Sequence, residues 1–385
     1  MHGIYFDNAA TSFPKAPNVA ESVADYLLHN GANINRGAYG SSYDAAQTVF
    51  ETRELLCSLF NFNKPENVIF TRNITESLNL VMKGLLQENE HVLVSSFEHN
   101  AVMRPLSSLA KKGVSFSRVP CTAQGGLEAG IIREYIQPNT KAVIMTHASN
   151  VSGTVLPLAE VGAICQENNL IFIIDSAQTA GFLDLDFAKL HADVLTFTGH
   201  KSLLGPQGTG GLVLNDKIAE LLAPFIEGGT GSSSEAETQP PYLPDKFESG
   251  TLNIPGIFGL NTAIKYLLKT GIESIRREEL NLTDLFVEGI SDLPKVKIIG
   301  NNARSERTAL ISLDFVDQDN AEIADMLARD FQIMTRCGLH CAPSAHKSLG
   351  TFPQGTVRFS FSHFNTAKEI EYALDSIGKC LRLLR

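Results

Sequence analysis

The feature that most constrains the fold is a regular alternation, between residues 67 and 214, of short apolar runs with helical or polar stretches. Parallel strands covered by helices on both faces have this appearance, because neither side of such a strand faces water. The pattern therefore predicts an α/β fold with a mostly parallel seven-stranded sheet and helices on both faces. The seven runs are NVIFT, HVLVS, VSFSRV, KAVIMT, LIFIID, DVLTF and GLVLN.

The last two runs are connected differently from the others. A glycine-rich segment, TGHKSLLGPQGTG, joins DVLTF to GLVLN and has no helical pattern. Neighbouring parallel strands need a crossover connection, which is usually a helix. We therefore expect GLVLN to turn back and pair antiparallel.

The chain has 385 residues, which is more than a single core usually supports. Residues 17–30 and 42–60 have helical periodicity, and residues 228–255 form a Gly-, Ser- and Pro-rich segment typical of a long loop. Beyond that loop lie three strand candidates, RTALISLDF, FQIMTR and TVRFSFS, and a last predicted helix over residues 367–384. We predict a large domain over residues 16–259 and a small α+β domain made of residues 1–15 and 260–385.

Composition excludes several classes of protein. The chain carries 42 acidic and 32 basic side chains, a net charge of −10, and no basic cluster that would follow a nucleic acid backbone. Its apolar runs are too short to cross a bilayer, and the first residues lack the pattern of a signal peptide. We expect a cytoplasmic protein that binds neither nucleic acid nor membrane, with its six scattered cysteines reduced.

Polar side chains follow five of the seven runs, where the strands of an open α/β sheet deliver ligand-binding groups. Each has an ordinary structural role when taken alone, such as a helix cap or a solvated charge. Together they define a pocket at one edge of the sheet. They are Arg72, Asn73, Thr75, Glu76, Glu98, His99, His147, Asn150, Asp175, Gln178, Thr198, His200 and Lys201.

An amine, a carboxylate and a group of hydroxyl and N–H donors are what pyridoxal 5'-phosphate requires of a protein. A lysine forms a Schiff base with its aldehyde, and an acid keeps the pyridine nitrogen protonated so that the ring accepts electrons. Threonine and histidine near helix N-termini bind its phosphate. We predict pyridoxal 5'-phosphate as the cofactor and Lys201 as the Schiff-base lysine.

The segments EHNAVM, HASNVSGT, DSAQ, FTGHK and FESGTLN, in this order and at these intervals, carry a family resemblance. The chain resembles, over nearly its whole length, the cysteine desulfurases of the class V aminotransferase family, which are fold type I pyridoxal-phosphate enzymes. The resemblance implies that Asp175 pairs with the pyridine nitrogen and Gln178 bonds the ring hydroxyl. It implies that His99 stacks on the ring and moves protons.

The same resemblance implies the remaining contacts. Thr75, Thr198 and His200 would hold the phosphate, and Thr251 would reach the phosphate of a neighbouring subunit, so that a homodimer is expected. The residues implied in substrate binding are Asn150, Arg358, Asn35 and Arg36. Three positions depart from the family pattern, namely Asn35, Ile74 and Leu339, and phosphate binding is expected to survive on the other donors.

The loop TRCGLHCAPSAH is similar to the Arg-x-Gly-x-His-Cys-Ala pattern of the short-loop desulfurases. The resemblance implies that Cys341 takes sulfur from L-cysteine as a persulfide, leaving alanine, and that a sulfur-acceptor protein removes it. Such a role requires a thiolate, and we expect His340 and Arg336 to favour it.

Three alternatives stay open at this point. One is a metal site built from Cys337, His340, Cys341 and His346, although their spacing and the adjacent arginine argue against it, so that no metal is expected. A second is a class V aminotransferase or selenocysteine lyase-like enzyme acting on another amino acid, for which Cys341 would be dispensable. A third is a scaffold protein without catalysis, against which the presence of both Lys201 and Asp175 argues.

Overall fold

A computed structural model describes residues 3–34, 37, 39–301 and 303–384. None of its helices, within those ranges, is long and apolar enough to cross a bilayer. The strands are β1 Ile4–Tyr5, β2 Val68–Thr71, β3 His91–Ser95, β4 Ser115–Val119, β5 Thr140–Thr146, β6 Ile171–Asp175, β7 Val194–Thr198, β8 Gly210–Leu214, β9 Val296–Ile299, β10 Leu310–Phe315, β11 Ile333–Met334, β12 Arg336–Gly338 and β13 Thr356–Ser360. The α-helices are α1 Val19–Asp25, α2 Gly40–Leu59, α3 Ile74–Leu85, α4 Asn100–Ala110, α5 Ile132–Tyr135, α6 Leu158–Glu167, α7 Asp216–Leu221, α8 Ile254–Thr270, α9 Ile272–Ser291, α10 Asn320–Phe331, α11 Pro343–Ser348 and α12 Ala367–Leu383.

The central sheet confirms the predicted α/β fold. It has seven strands in the order β2-β8-β7-β6-β5-β3-β4. Strand β8 runs antiparallel to both of its neighbours, as its glycine-rich connection predicts, and the other pairs are parallel. The carboxyl ends of β5, β6 and β7 therefore meet at one edge of the sheet.

Helices cover both faces of this sheet, and the strand sequences account for it. Successive side chains of a strand point to opposite faces, so Val143 and Met145 of β5 enter one core while Ala142 and Ile144 enter the other. All four side chains are fully buried. A continuous apolar run is therefore what we expect of a strand whose side chains enter two hydrophobic cores.

A second, antiparallel sheet in the order β12-β13-β10-β9 forms a separate core with α9, α10 and α12. The predicted single strand FQIMTR was wrong in detail, because the chain changes partner at Thr335. Strand β11 pairs in parallel with β1, whereas β12 pairs with β13. Strands β1 and β9 were not predicted, since one has two residues and the other is an incompletely buried edge strand.

Residues 222–253 contain no helix or strand, in line with the predicted long loop. The proposed domain boundary after residue 259 falls inside α8. Buried side chains of this helix, up to Leu267, belong to the core of the central sheet. The helix thus packs with the large sheet, and the division of the chain into two domains stays a prediction.

Candidate active site

A lysine and an aspartate lie at the carboxyl edge of the central sheet. Asp175 is the last residue of β6, is 2% exposed, and accepts a hydrogen bond from the Ala177 backbone N–H at 2.9 Å. Burial raises its pKa, and the nearby Lys201 ammonium opposes that rise. Burial likewise lowers the pKa of Lys201 to about 8, against the attraction of Asp175. The two groups interact electrostatically, and the lowered pKa makes a larger fraction of the lysine a neutral amine than at its ordinary value.

His99 caps the N-terminus of α4 and is held in one tautomer. Its Nδ1 accepts a hydrogen bond from the Ala101 backbone N–H at 3.0 Å. Burial lowers its pKa to about 4, and the positive charges of Lys201, Arg336, Arg358 and Arg104 act in the same direction. The imidazole is therefore neutral with its proton on Nε2, which leaves one N–H to donate.

Two buried polar atoms beside the lysine have no hydrogen-bond partner among the described residues. They are Thr198 Oγ1, at the end of β7, and His200 Nδ1. Buried donors are almost always paired in folded proteins, so unpaired ones point to a ligand that completes them. Thr75, in the first turn of α3, offers a further exposed hydroxyl. These groups fit a bound phosphate.

Gln178 lies in the turn after β6 and lines the same small cavity as Lys201. Its Nε2 donates a hydrogen bond to the Ala9 carbonyl at 3.2 Å, so the N-terminal segment covers this side of the site. The amide is buried and fixed in place.

Arg358 of β13 reaches the central sheet from the second sheet and is 1% exposed. Its Nη2 pairs with the Asp7 carboxylate at 2.8 Å, and its Nη1 donates to the Asn150 carbonyl at 3.0 Å. Its Nε has no partner among the described residues. The guanidinium is a buried, preorganised anion-binding group.

The loop after β12 exposes a thiol toward this site. Cys341 is the one exposed cysteine of the six, all of which are described and free. His340 and Cys341 adopt φ values of 48° and 59°, which bulky residues adopt only when neighbouring contacts hold them. Two hydrogen bonds supply those contacts: Asn100 N–H donates to the Cys341 carbonyl at 2.8 Å, and Asn150 Nδ2 donates to the His340 carbonyl at 2.6 Å.

The expected help from His340 to the thiol is wrong. The imidazole is 3% exposed and points toward β13, where its Nε2 bonds Thr356 Oγ1 at 3.1 Å. Burial holds its pKa well below the usual range, so it is neutral. Arg336 does approach the sulfur, with Nη2 at 3.8 Å from Sγ of Cys341. Arg336 therefore places a positive charge beside this thiol.

The proposed metal ligands are not gathered around a common point. His346 Nδ1 bonds Thr351 Oγ1 at 2.7 Å, and its ring centroid lies 5.5 Å from that of His340. Within the described ranges, no three His, Cys, Asp or Glu side chains are arranged to hold a metal ion.

One predicted site residue, Thr251, does not join this cluster. Thr251 lines a different cavity, of about 320 Å3, together with Phe70 and Thr209. Asn35 and Arg36 lie outside the described residues.

The sequence reasoning did not name Asp7 or Lys15, and it placed Glu98 in the pocket without giving it a role of its own. Asp7 precedes Arg358 by 351 positions, so no local signal connects them. Lys15 donates through Nζ to the His200 carbonyl at 3.0 Å. Glu98 is fully buried, bonds Ser95 and the Thr146 N–H, and burial raises its pKa to about 8. The sequence feature that pointed to Glu98 was its position directly before the candidate site residue His99.

Comparisons with a family model and with individual relatives point to the same family. A family model described as Aminotransferase class-V matches residues 4–373. A probable cysteine desulfurase of Pyrococcus abyssi is 33% identical, over 99% of this chain and 95% of its own length. A protein of the same name from Methanothermobacter thermautotrophicus is 31% identical, over 96% of this chain and 92% of its own.

Two solved structures share the fold. The apo cysteine desulfurase of Thermococcus onnurineus superimposes with a TM-score of 0.92 at 32% identity, covering 99% of this chain and 95% of that one. The cysteine desulfurase CsdA of Escherichia coli, in its S-sulfonic acid form, gives 0.90 at 26% identity with the same coverage. The chain belongs to the class V aminotransferase family, and the four relatives named here, which it matches along nearly its whole length, carry the name cysteine desulfurase or probable cysteine desulfurase.

Proposed function

We propose that this protein is a pyridoxal-phosphate-dependent cysteine desulfurase, which converts L-cysteine to L-alanine and stores the sulfur as a persulfide on Cys341. One observation carries the proposal. The single exposed cysteine lines the same groove as His99 and Thr75, beside the edge of the sheet where Lys201 and Asp175 lie. An aminotransferase has no need of a thiol at that position.

The residues at the sheet edge fit the cofactor. When bound, pyridoxal 5'-phosphate supplies an electron sink for the substrate carbon atoms. The lysine would hold it covalently, the buried acid would pair with its ring nitrogen, and the unpartnered hydroxyl and imidazole groups would bind its phosphate. The residues in these roles are Lys201, Asp175, Gln178, His99, Thr75, Thr198 and His200.

Arg358 binds the carboxylate of L-cysteine. Its guanidinium is planar, permanently charged and fixed by Asp7, so it offers a preformed fork to a planar anion. Asn150 supports this site by holding the backbone of the thiol loop.

Sulfur transfer balances without an oxidant. Sγ of Cys341 forms a bond to the sulfur of L-cysteine while the Cβ–S bond of the substrate breaks, and the carbon fragment gains the proton that makes it alanine. Arg336 places positive charge beside the thiolate that attacks. His99, neutral with a proton on Nε2, lines the same groove as Cys341 and carries the proton.

A homodimer completes the site in this proposal. Thr251 lies in a cavity apart from Lys201 of its own chain. That separation supports a role at the phosphate of a neighbouring subunit, as the family resemblance implies.

The test compares Cys341→Ser with Cys337→Ser in protein loaded with pyridoxal phosphate. Cys337 is partly buried on β12 and serves as the matched control. We expect Cys341→Ser to keep the cofactor absorbance and lose alanine formation from L-cysteine, while Cys337→Ser retains both. Full alanine formation by Cys341→Ser would contradict the proposal. Keto acid as the main product from a panel of amino acids would favour an aminotransferase instead.

A further inference from the structure

The carbonyl oxygen of His200, in the peptide that leads to Lys201, is held by many donors. A backbone carbonyl has two lone pairs, yet this one accepts four hydrogen bonds, all from the N-terminal segment. The donors are the Ser12 N–H at 2.9 Å, Thr11 Oγ1 at 3.1 Å, Ser12 Oγ at 3.2 Å and Lys15 Nζ at 3.0 Å. The imidazole of His200 is a proposed phosphate ligand, so these bonds fix the backbone that carries it.

The ammonium of Lys15 is partly buried and is surrounded by neutral oxygen atoms. Besides the His200 carbonyl, it contacts Thr11 Oγ1 at 3.3 Å and Ser12 Oγ at 3.0 Å. Burial lowers its pKa to about 8, and no carboxylate among the described residues opposes that shift. Removing a cation from water without a counterion costs free energy. Because a neutral donor would hold the same carbonyl at a smaller cost, the charge points to an anion close by.

The imidazole of His200 is where that anion is expected. Its buried Nδ1, like Thr198 Oγ1, has no partner in the part of the chain that the structure describes. Burial lowers the pKa of His200 to about 4, and the charges of Lys201 and Lys15 act in the same direction. An anion bound to this imidazole would experience the Lys15 charge as an attraction. The groups proposed to bind the phosphate, Thr75, Thr198 and His200, are neutral, so none of them supplies a positive charge.

The segment that carries Lys15 is fixed on both sides of it. Before the lysine, the Ala9 N–H donates to Ser360 Oγ of β13 at 2.8 Å. After the lysine, the Ala16 N–H donates to the Leu204 carbonyl at 3.2 Å. The ammonium is therefore held at one place relative to both sheets, as a group that positions its neighbours must be.

We propose that Lys15 is a positioning residue of the cofactor site: it fixes His200 through its carbonyl and places a positive charge behind the phosphate-binding imidazole. The inference rests on the proposed function, in which His200 binds the phosphate of pyridoxal phosphate. Removing the ammonium frees the short side chain of His200 to change direction and weakens the attraction for the phosphate. The long side chain of Lys201 has more rotatable bonds and adjusts to a small shift of its backbone. The loss should therefore depend on the phosphate.

The experiment titrates the full-length apoprotein with pyridoxal phosphate and with pyridoxal, which lacks the phosphate, and follows the cofactor absorbance. Borohydride reduction and mass spectrometry verify that each compound is attached at Lys201. Lys15→Met removes the ammonium, Lys15→Arg keeps the charge and the donors, and Lys15→Gln repeats the test if the methionine variant does not fold. Lys111→Met, at an exposed lysine just beyond α4, is the matched control. Circular dichroism of the bound cofactor is recorded for each protein.

We expect Lys15→Met to bind pyridoxal phosphate about tenfold or more weakly, the loss of one hydrogen bond to a charged group, and to bind pyridoxal nearly as well as the unmodified protein does. The circular dichroism of its bound pyridoxal phosphate should change, because the phosphate is held differently. Lys15→Gln should show the same preference in weaker form. Lys15→Arg should recover most of the affinity for pyridoxal phosphate, and Lys111→Met should match the unmodified protein.

Equal losses for the two compounds in Lys15→Met would overturn the inference, because a lysine with a merely structural role weakens both alike. No recovery by Lys15→Arg would overturn it as well, since that variant keeps the charge. Failure of the proposed function looks different: the unmodified protein then attaches pyridoxal phosphate at Lys201 but gains no sulfur on Cys341 from L-cysteine. The comparison of the two compounds still decides the role of Lys15 in that case.

Discussion

Replacing Arg358 by lysine tests the proposed substrate site. The guanidinium offers a planar fork and is already held by Asp7 and by the Asn150 carbonyl. Lysine keeps the charge but offers a single ammonium in place of two parallel donors. The variant should therefore lose one of the two hydrogen bonds to the carboxylate of L-cysteine and retain the other.

The size of the effect follows from that single bond. A hydrogen bond to a charged group contributes about 1.5 to 3 kcal/mol, which corresponds to a loss of about 12- to 160-fold in kcat/KM. Because the carboxylate stays bound throughout the reaction, most of the loss should appear as a higher KM. Asp7→Asn should also raise KM, since it removes the carboxylate that fixes the guanidinium of Arg358.

The assay is steady-state formation of product from L-cysteine and from cysteamine, which lacks the carboxylate. Arg358→Lys should impair the reaction of L-cysteine and leave the much slower reaction of cysteamine nearly unchanged. A kcat/KM for L-cysteine within about twofold of the unmodified value, or an equal loss for both compounds, would refute the assignment of Arg358.

Three other predictions follow from buried charges. The rate at which the apoprotein captures pyridoxal phosphate, measured by stopped-flow absorbance, should rise with pH around a midpoint of about 8, because burial lowers the pKa of Lys201. A midpoint near 10.5, the ordinary pKa of lysine, would contradict this. Glu248→Gln removes the counterion of buried Arg53 and should lower the free energy of unfolding by about 3 to 5 kcal/mol. The thermal midpoint of this variant should therefore fall well below that of Glu51→Gln, which breaks an exposed ion pair. Equal midpoints for the two variants would contradict the prediction. Burial lowers the pKa of His147 from 6.5 to about 4, so the unfolded chain binds its proton more readily. Stability is then complete above pH 6.5 and falls as pH drops toward 4, by up to about 1.4 kcal/mol per pH unit. His147→Gln should flatten this slope, and an unchanged slope would exclude the effect.

The central sheet could be predicted because its strands, apart from the edge strand β4, are largely buried on both faces. Their sequences are mainly apolar, and the glycine-rich connection indicated the antiparallel turn of β8, although the connection from β6 to β7 contains no helix either. The site at the carboxyl ends of β6 and β7 follows from that topology, since Asp175 and Lys201 come directly after predicted strands. Local sequence patterns and the general rules for connecting strands were sufficient to predict this part of the fold.

The parts that could not be predicted depend on contacts between distant segments. Asp7 and Arg358 meet because β1 and β13 bring the two ends of the chain together. The direction of His340 depends on left-handed backbone angles at two consecutive residues and on a hydroxyl of β13. Sequence adjacency to Cys341 suggested a chemical role for His340 that its direction does not support, whereas Arg336, which was expected to share that role, does approach the sulfur.

The most direct test of the central claim is mass spectrometry of the peptide that contains Cys341, after the holoenzyme has reacted with one equivalent of L-cysteine without added thiol. The account predicts one added sulfur atom on Cys341, none on Cys337, and an equal amount of alanine in solution. Alanine or sulfide released with Cys341 unmodified, or sulfur found on another cysteine, would contradict it.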